Sequence, residues 1–127
     1  MYLLDSNIYV WYCLADDALH HKVLTILEDL DPNKKIVVPY SILSETLTVL
    51  TYKWGKEMAR DFVTLLEEDD RFVFRKEKEN ETFDFWLQVD KKIWYTDIAI
   101  VYISTSMWLQ LISLDKQVMS LYKEFLW

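Results

Sequence analysis

The sequence predicts an α/β fold in which a central parallel sheet is flanked by helices. Short apolar runs of strand length recur at Tyr2 to Leu4, Ile36 to Val38, Phe72 to Phe74 and Leu109 to Ser113. None of them alternates apolar with polar residues, the pattern of strands covered on both faces. Between them lie longer segments whose apolar residues recur at helical spacing. Strands that alternate with helices close into a parallel sheet through right-handed crossovers.

The elements follow in order. Tyr2 to Leu4 forms the first strand and ends at Asp5. Val23, Ile26, Leu27 and Leu30 fit the i, i+3, i+4, i+7 stripe of a helix, which Asp31-Pro32-Asn33 stops with a turn. The second strand is fenced by Lys34-Lys35 and Pro39. Ile42, Leu43, Leu47 and Leu50 mark the next helix, and Phe62, Leu65 and Leu66 another. The third strand stands between Asp69-Asp70-Arg71 and Arg75. Ile98, Val101, Tyr102 and Met107 belong to the helix before the last strand. The charge runs Glu67 to Asp70 and Glu77 to Glu81 read as solvated helix ends or loops. With a single Gly and two Pro, loops are expected to be short and helices to dominate.

The bulk numbers bound what the chain can be. Its 127 residues suffice for one domain, 1–127, and not for two. It is 52% hydrophobic and 28% charged, which excludes a disordered chain. Aromatics are 16% of it, and each one reads first as packing. The net charge of −7, from 21 acids and 14 bases, argues against a nucleic-acid binder held by charge alone. It leaves open an enzyme whose acidic site is filled by cations. The lone Cys13 excludes an internal disulfide and reads as a small buried apolar residue in a reducing, cytoplasmic compartment. No run is apolar for long enough to span a bilayer, so no membrane is expected. His20 and His21 are adjacent, cannot share a helix face, and read as ordinary helix residues.

Four acids stand in apolar surroundings at strand ends or in helices: Asp5, Glu45, Asp97 and Asp115. A buried or half-buried carboxylate is costly unless it is paired or metal-bound. Asp5 follows the first strand and Asp115 the last, and in an open α/β sheet ligands bind outside the carboxyl ends of the strands. Glu45 lies about two turns into the helix after the second strand. Asp97 opens the helix before the last strand, with Thr96 as its expected cap. If the first and last strands are neighbours, all four carboxylates meet at one rim. Like charges gathered there raise one another's pKa, and a hard divalent cation relieves the repulsion. All-oxygen donors select Mg²⁺ or Mn²⁺. The competing reading is local: Asp5 as a helix cap, Asp97 and Asp115 as partners of helix dipoles. It accounts for single residues and leaves Glu45 among Leu and Ile unexplained.

The same residues carry a family resemblance. Leu3-Leu4-Asp5-Ser6-Asn7 resembles the opening of PIN domains: an apolar strand, then Asp, Ser or Thr, and Asn. Pro39-Tyr40-Ser41-Ile42-Leu43-Ser44-Glu45 is similar to their second motif, Tyr95-Thr96-Asp97-Ile98-Ala99-Ile100 to the third, and Leu111-Ile112-Ser113-Leu114-Asp115-Lys116 to the fourth. The likeness is nearest to the PIN toxins of VapBC-type toxin–antitoxin pairs. It implies a three-layer α/β/α domain with a parallel sheet of four or five strands. It implies a metal-dependent endoribonuclease that cuts single-stranded RNA to 5′-phosphate and 3′-hydroxyl ends. Asp5, Glu45, Asp97 and Asp115 would be its acidic quartet, with Ser6, Asn7 and Ser113 supporting the acids by hydrogen bonds. A cognate antitoxin and a homodimer are implied as well. Two departures stand out. The chain ends at Phe125-Leu126-Trp127, so the fifth strand common in the family is expected to be short or absent. Bases near the motifs are few, chiefly Lys91, Lys92 and Lys116, and no RNA-binding residue is assigned.

Two other readings exist. A PIN-like module that binds protein or RNA without catalysis would suit the acidic surface, but has no chemical reason to keep four mutually repelling acids. A phosphoryl-transfer protein of haloacid-dehalogenase or receiver type also uses a strand-end Asp. The former wants a second Asp two residues on, where this chain has Asn7.

Overall fold

A computed structural model of the chain describes residues 1–14 and 18–126. The four apolar runs become four strands: β1 (Tyr2–Leu4), β2 (Ile36–Pro39), β3 (Phe72–Arg75) and β4 (Gln110–Ile112). All pair in parallel, in the order β3-β2-β1-β4. The register places Leu3 between Val37 and Leu111, all three buried. β1 and β2 are covered on both faces, as their unbroken apolar runs require. β3 and β4 lie at the edges and are only half covered.

Seven helices among the described residues connect the strands: α1 (Ser6–Cys13), α2 (Ala18–Glu28), α3 (Tyr40–Trp54), α4 (Lys56–Glu68), α5 (Glu79–Gln88), α6 (Tyr95–Ser106) and α7 (Lys116–Phe125). α1 to α4 pack on one another as one group, and α5 to α7 as another. The core runs through Leu3, Ile8, Val37, Ile42, Leu50, Ile98, Ile100, Leu111 and Leu121, each essentially without solvent contact.

Several expectations are corrected. The last strand is shorter than Leu109 to Ser113, because Ser113 turns out of the ladder to meet Asp5. The run Glu77 to Glu81 is, as expected, a solvated helix end, with Glu79 and Glu81 exposed in the first turn of α5, where acids favour the helix dipole. Cys13 is half-buried rather than enclosed, and burial pushes its thiol pKa up. No fifth strand occurs among the described residues, and Trp127 lies outside them. Asp31-Pro32-Asn33 does form the expected turn, with the Asn33 N–H donating to Asp31 Oδ1 at 2.9 Å.

The chain's one glycine has a clear task. Gly55, at φ +90°, ends α3 and begins α4 on a single residue, a conformation that side chains resist. Trp108, between α6 and β4, takes φ 58° without that freedom.

The strand order positions the site. β1 leads to β2 on one side, and the crossover from β3 brings β4 to the other. The direction of winding reverses between β1 and β4, where an open α/β sheet leaves a crevice at its carboxyl edge. Asp5 and Asp115 follow the two strands that flank that crevice.

Candidate active site at the carboxyl edge of the sheet

The crevice is a cleft of about 350 Å³ lined by Asp5, Ser6, Asn7, Glu45, Trp94, Thr96, Asp97 and Asp115. All four acids singled out in the sequence therefore face one space, delivered by β1, α3, α6 and the start of α7. A larger hollow along α3, between Tyr40 and Tyr52, is lined by no acid.

Asp5 sits deepest, only 4% exposed. Its backbone N–H donates to the Ile112 carbonyl at 3.0 Å, continuing the β1–β4 ladder past the strand end. Oδ1 accepts from the Ser6 N–H at 2.7 Å and so caps α1. Oδ2 accepts from Ser113 Oγ at 2.7 Å and from Asn7 Nδ2 at 3.4 Å. Burial raises its pKa; the Ser113 and Ser6 hydrogen bonds oppose that rise, and the charge of Asp115 adds to it.

Ser113 is the hub of this network. Its hydroxyl accepts from the Asp115 N–H at 3.0 Å and from Asn7 Nδ2 at 3.1 Å. With both lone pairs engaged, its proton is directed at Asp5. Asn7 completes the link, its Oδ1 accepting from the Leu114 N–H at 3.2 Å.

Asp97 is the third residue of α6 and half-buried. Its carboxyl pKa is pushed up to about 6, by burial first and then by the charges of Asp5, Asp115 and Glu45. The other three acids all act on this one group. Asp115 caps α7, its Oδ1 accepting from the Gln117 and Val118 N–H groups at 2.8 and 3.3 Å.

Burial is less uniform than the sequence suggests. Asp5 is enclosed and Asp97 half-buried, whereas Glu45 and Asp115 are exposed at the cleft wall. The apolar neighbours of Glu45 cover the core face of α3, with Ile42, Thr46 and Leu50 buried while Glu45 turns outward. The local reading of Asp5 as a helix cap is also true, and Asp115, read as the partner of a helix dipole, caps α7. Both residues cap and converge, because helices α1 and α7 start at the same rim. Thr96 is corrected: it lines the cleft but is not the cap of α6. That position is held by Trp94, whose side chain accepts no capping hydrogen bond. Ser6, Asn7 and Ser113 do hydrogen-bond within the cluster.

The donor set is all oxygen, which suits a hard divalent cation. As the side chains stand, no three His, Cys, Asp or Glu among the described residues are gathered into a metal-holding group. The fit rests on chemistry and charge: carboxylates that repel one another across a cleft.

Trp94 is the lining residue that the sequence reading missed. The signal was its place just before Tyr95-Thr96-Asp97, obscured by the prior that a Trp packs in a core. Of the bases near the motifs, Lys91 is paired with Glu124, and Lys116 opens α7 at an exposed position.

The chain belongs to the PIN domain family, whose sequence pattern matches residues 2–117. Its fold is similar to that in the crystal structure of Mycobacterium tuberculosis VapC20, a sarcin-ricin loop cleaving toxin. The TM-score is 0.81 at 13% sequence identity, and the match covers 95% of each chain. At that identity the likeness concerns the fold. No curated protein matches the sequence.

Proposed function

We propose that this protein is a divalent-metal-dependent endoribonuclease that cuts single-stranded RNA, and the toxin of a VapBC-type pair. The observation that carries the reading is the convergence of Asp5, Glu45, Asp97 and Asp115 on one cleft, where burial and the neighbouring charges raise the Asp97 pKa. Residues whose mutual repulsion is built into a cleft are candidates for chemistry rather than stability. Membership of the PIN domain family and the VapC20-like fold support the same reading.

Asp5, Asp97 and Asp115 would hold Mg²⁺ or Mn²⁺, and Glu45 would either join them or orient the attacking water as general base. The ion, when bound, polarises a phosphate oxygen and lowers the pKa of a bound water. Ser113, Asn7 and Ser6 hold the Asp5 carboxylate in place, so that its orientation does not depend on the ion. Thr96 lines the wall beside Asp97. Hydrolysis of the phosphodiester would leave 5′-phosphate and 3′-hydroxyl ends.

The partners proposed are the RNA substrate, a cognate antitoxin and a second copy of the chain. An antitoxin segment with aromatic and basic side chains would complement the acidic cleft. Among the described residues no helix is long and apolar enough to cross a membrane. We read residues 1–127 as one domain acting in the cytoplasm. The test is cleavage of single-stranded RNA in Mg²⁺ or Mn²⁺ by wild type and by Asp5→Asn. Wild type is expected to cut and the folded variant to lose cleavage. A folded Asp5→Asn protein that cuts as fast as wild type would refute the assignment. A wild type that binds RNA yet cuts none would favour the non-catalytic module.

A further inference from the structure

Trp94 is 80% exposed, although it lies next to a well-formed core. Its neighbour Ile93 packs against that core, and Ile98 one turn later is fully buried. The chain therefore anchors on both sides of Trp94 and presents the indole outward, on the wall of the cleft that holds Asp97. Local stability does not account for the residue. It occupies the N-cap of α6, where Ser, Thr, Asp or Asn would supply an acceptor and where indole supplies none.

The exposed rings do not stop at Trp94. Tyr95 follows it, the Tyr95 and Trp86 ring centroids are 6.2 Å apart, and Trp86 stacks on Phe83 at 5.7 Å with 27° between planes. Tyr95, Trp86 and Phe83 are all exposed. Tyr95, Trp86 and Phe83 thus form an exposed run of neighbouring rings along α5 and the start of α6, next in sequence to Trp94 on the cleft wall.

We propose that Trp94, continued by Tyr95, Trp86 and Phe83, is the stacking surface that grips unpaired RNA bases beside the carboxylate cleft. The inference rests on the nuclease reading above and supplies the RNA-binding residues that reading lacks. A chain of net charge −7 cannot hold RNA by general attraction to phosphate. Lys91, the base nearest in sequence to Trp94 apart from Lys92, is engaged with Glu124. Base–aromatic stacking needs no positive charge, tolerates any sequence, and is open only to bases whose faces are free. The strip therefore selects single-stranded segments and loops over duplex.

The test uses wild type with Trp94→Ala, Trp94→Phe and Trp94→Ser, assayed on a single-stranded oligonucleotide in Mn²⁺. Trp94→Ala and Trp94→Ser are expected to raise KM about tenfold, with kcat within about twofold of wild type. Trp94→Phe, which keeps a ring, should stay near wild type. The melting temperature of Trp94→Ser should be unchanged or higher, since Ser caps α6, so a rise in KM cannot be a folding defect. Removing the bases that flank the cut should weaken wild type and add nothing to the loss in Trp94→Ala. If wild type cuts RNA while Trp94→Ala keeps its KM, the stacking role is wrong and the nuclease reading stands; the strip would then suit a protein partner. If wild type and Asp97→Asn are equally inert on RNA, the nuclease reading falls and this proposal with it.

Discussion

The Ser113 hydroxyl donates to Asp5 Oδ2 at 2.7 Å across 108 residues of sequence. This contact ties the end of β1 to the end of β4 and aims the most buried acid among the described residues. Ser113 can do this because its two lone pairs are already taken by Asn7 Nδ2 and the Asp115 N–H. The hydrogen bond also counteracts the effect of burial on Asp5.

Ser113→Ala should therefore lower RNA cleavage about ten- to a hundredfold, the range seen when a group that orients a metal ligand is removed. The fold should persist, because β4 keeps its ladder to β1. Cleavage rates against metal concentration would show the loss as a higher metal concentration needed for half-maximal rate. Unchanged rates at limiting metal would remove Ser113 from the account.

The raised Asp97 pKa makes a prediction about stability and pH. Its folded value is about 6, against an ordinary 3.8. An acid raised in this way favours the folded state fully below the unfolded pKa, and that contribution is lost as pH rises through about 6. At pH 7.5 without metal, the ionised Asp97 is a burden that Asp97→Asn lacks. The variant should then melt higher than wild type at pH 7.5, and the advantage should vanish near pH 3.5. Equal melting temperatures at both pH values would show that neither burial nor the neighbouring charges burden the ionised Asp97.

Trp108 offers a test of backbone strain away from the cleft. It holds φ 58° and is 72% exposed, so it carries the cost of the left-handed region with little burial in return. Trp108→Gly should raise stability by about 1 kcal/mol, visible as a melting temperature a few degrees higher. RNA cleavage should be unaffected, since the residue precedes β4 at the opposite end from Ser113. A lower melting temperature would mean that the ring's packing outweighs the strain.

Much of this was legible in the sequence, for reasons that particular residues make plain. Leu3, Val37 and Leu111 lie in short unbroken apolar runs, and such runs are strands only when both faces are covered. That observation, with the helical spacing between the runs, leads to a parallel sheet. Asp5 and Asp115 could be placed at its rim because Asp5 follows the first strand directly and Asp115 comes shortly after the last. The exposure of Glu45 was not legible: apolar neighbours in a helix do not say which side an intervening acid takes. Nor was the role of Thr96, since a Thr near a helix start caps only if the chain turns there, and it turns at Trp94. The hydrogen bond between Ser113 and Asp5 depends on strand order, which spacing leaves open. The Trp94 indole was hidden by the prior that aromatics pack.

The central claim is that Asp5, Glu45, Asp97 and Asp115 form one cation site. Thermal unfolding of wild type and Asp97→Asn across a Mg²⁺ and Mn²⁺ titration tests it most directly. An ion that binds only the folded protein must raise the melting temperature with concentration. The account predicts a rise for wild type, absent or far smaller for Asp97→Asn. A wild type indifferent to both ions, or an Asp97→Asn variant stabilised as strongly as wild type, would contradict it.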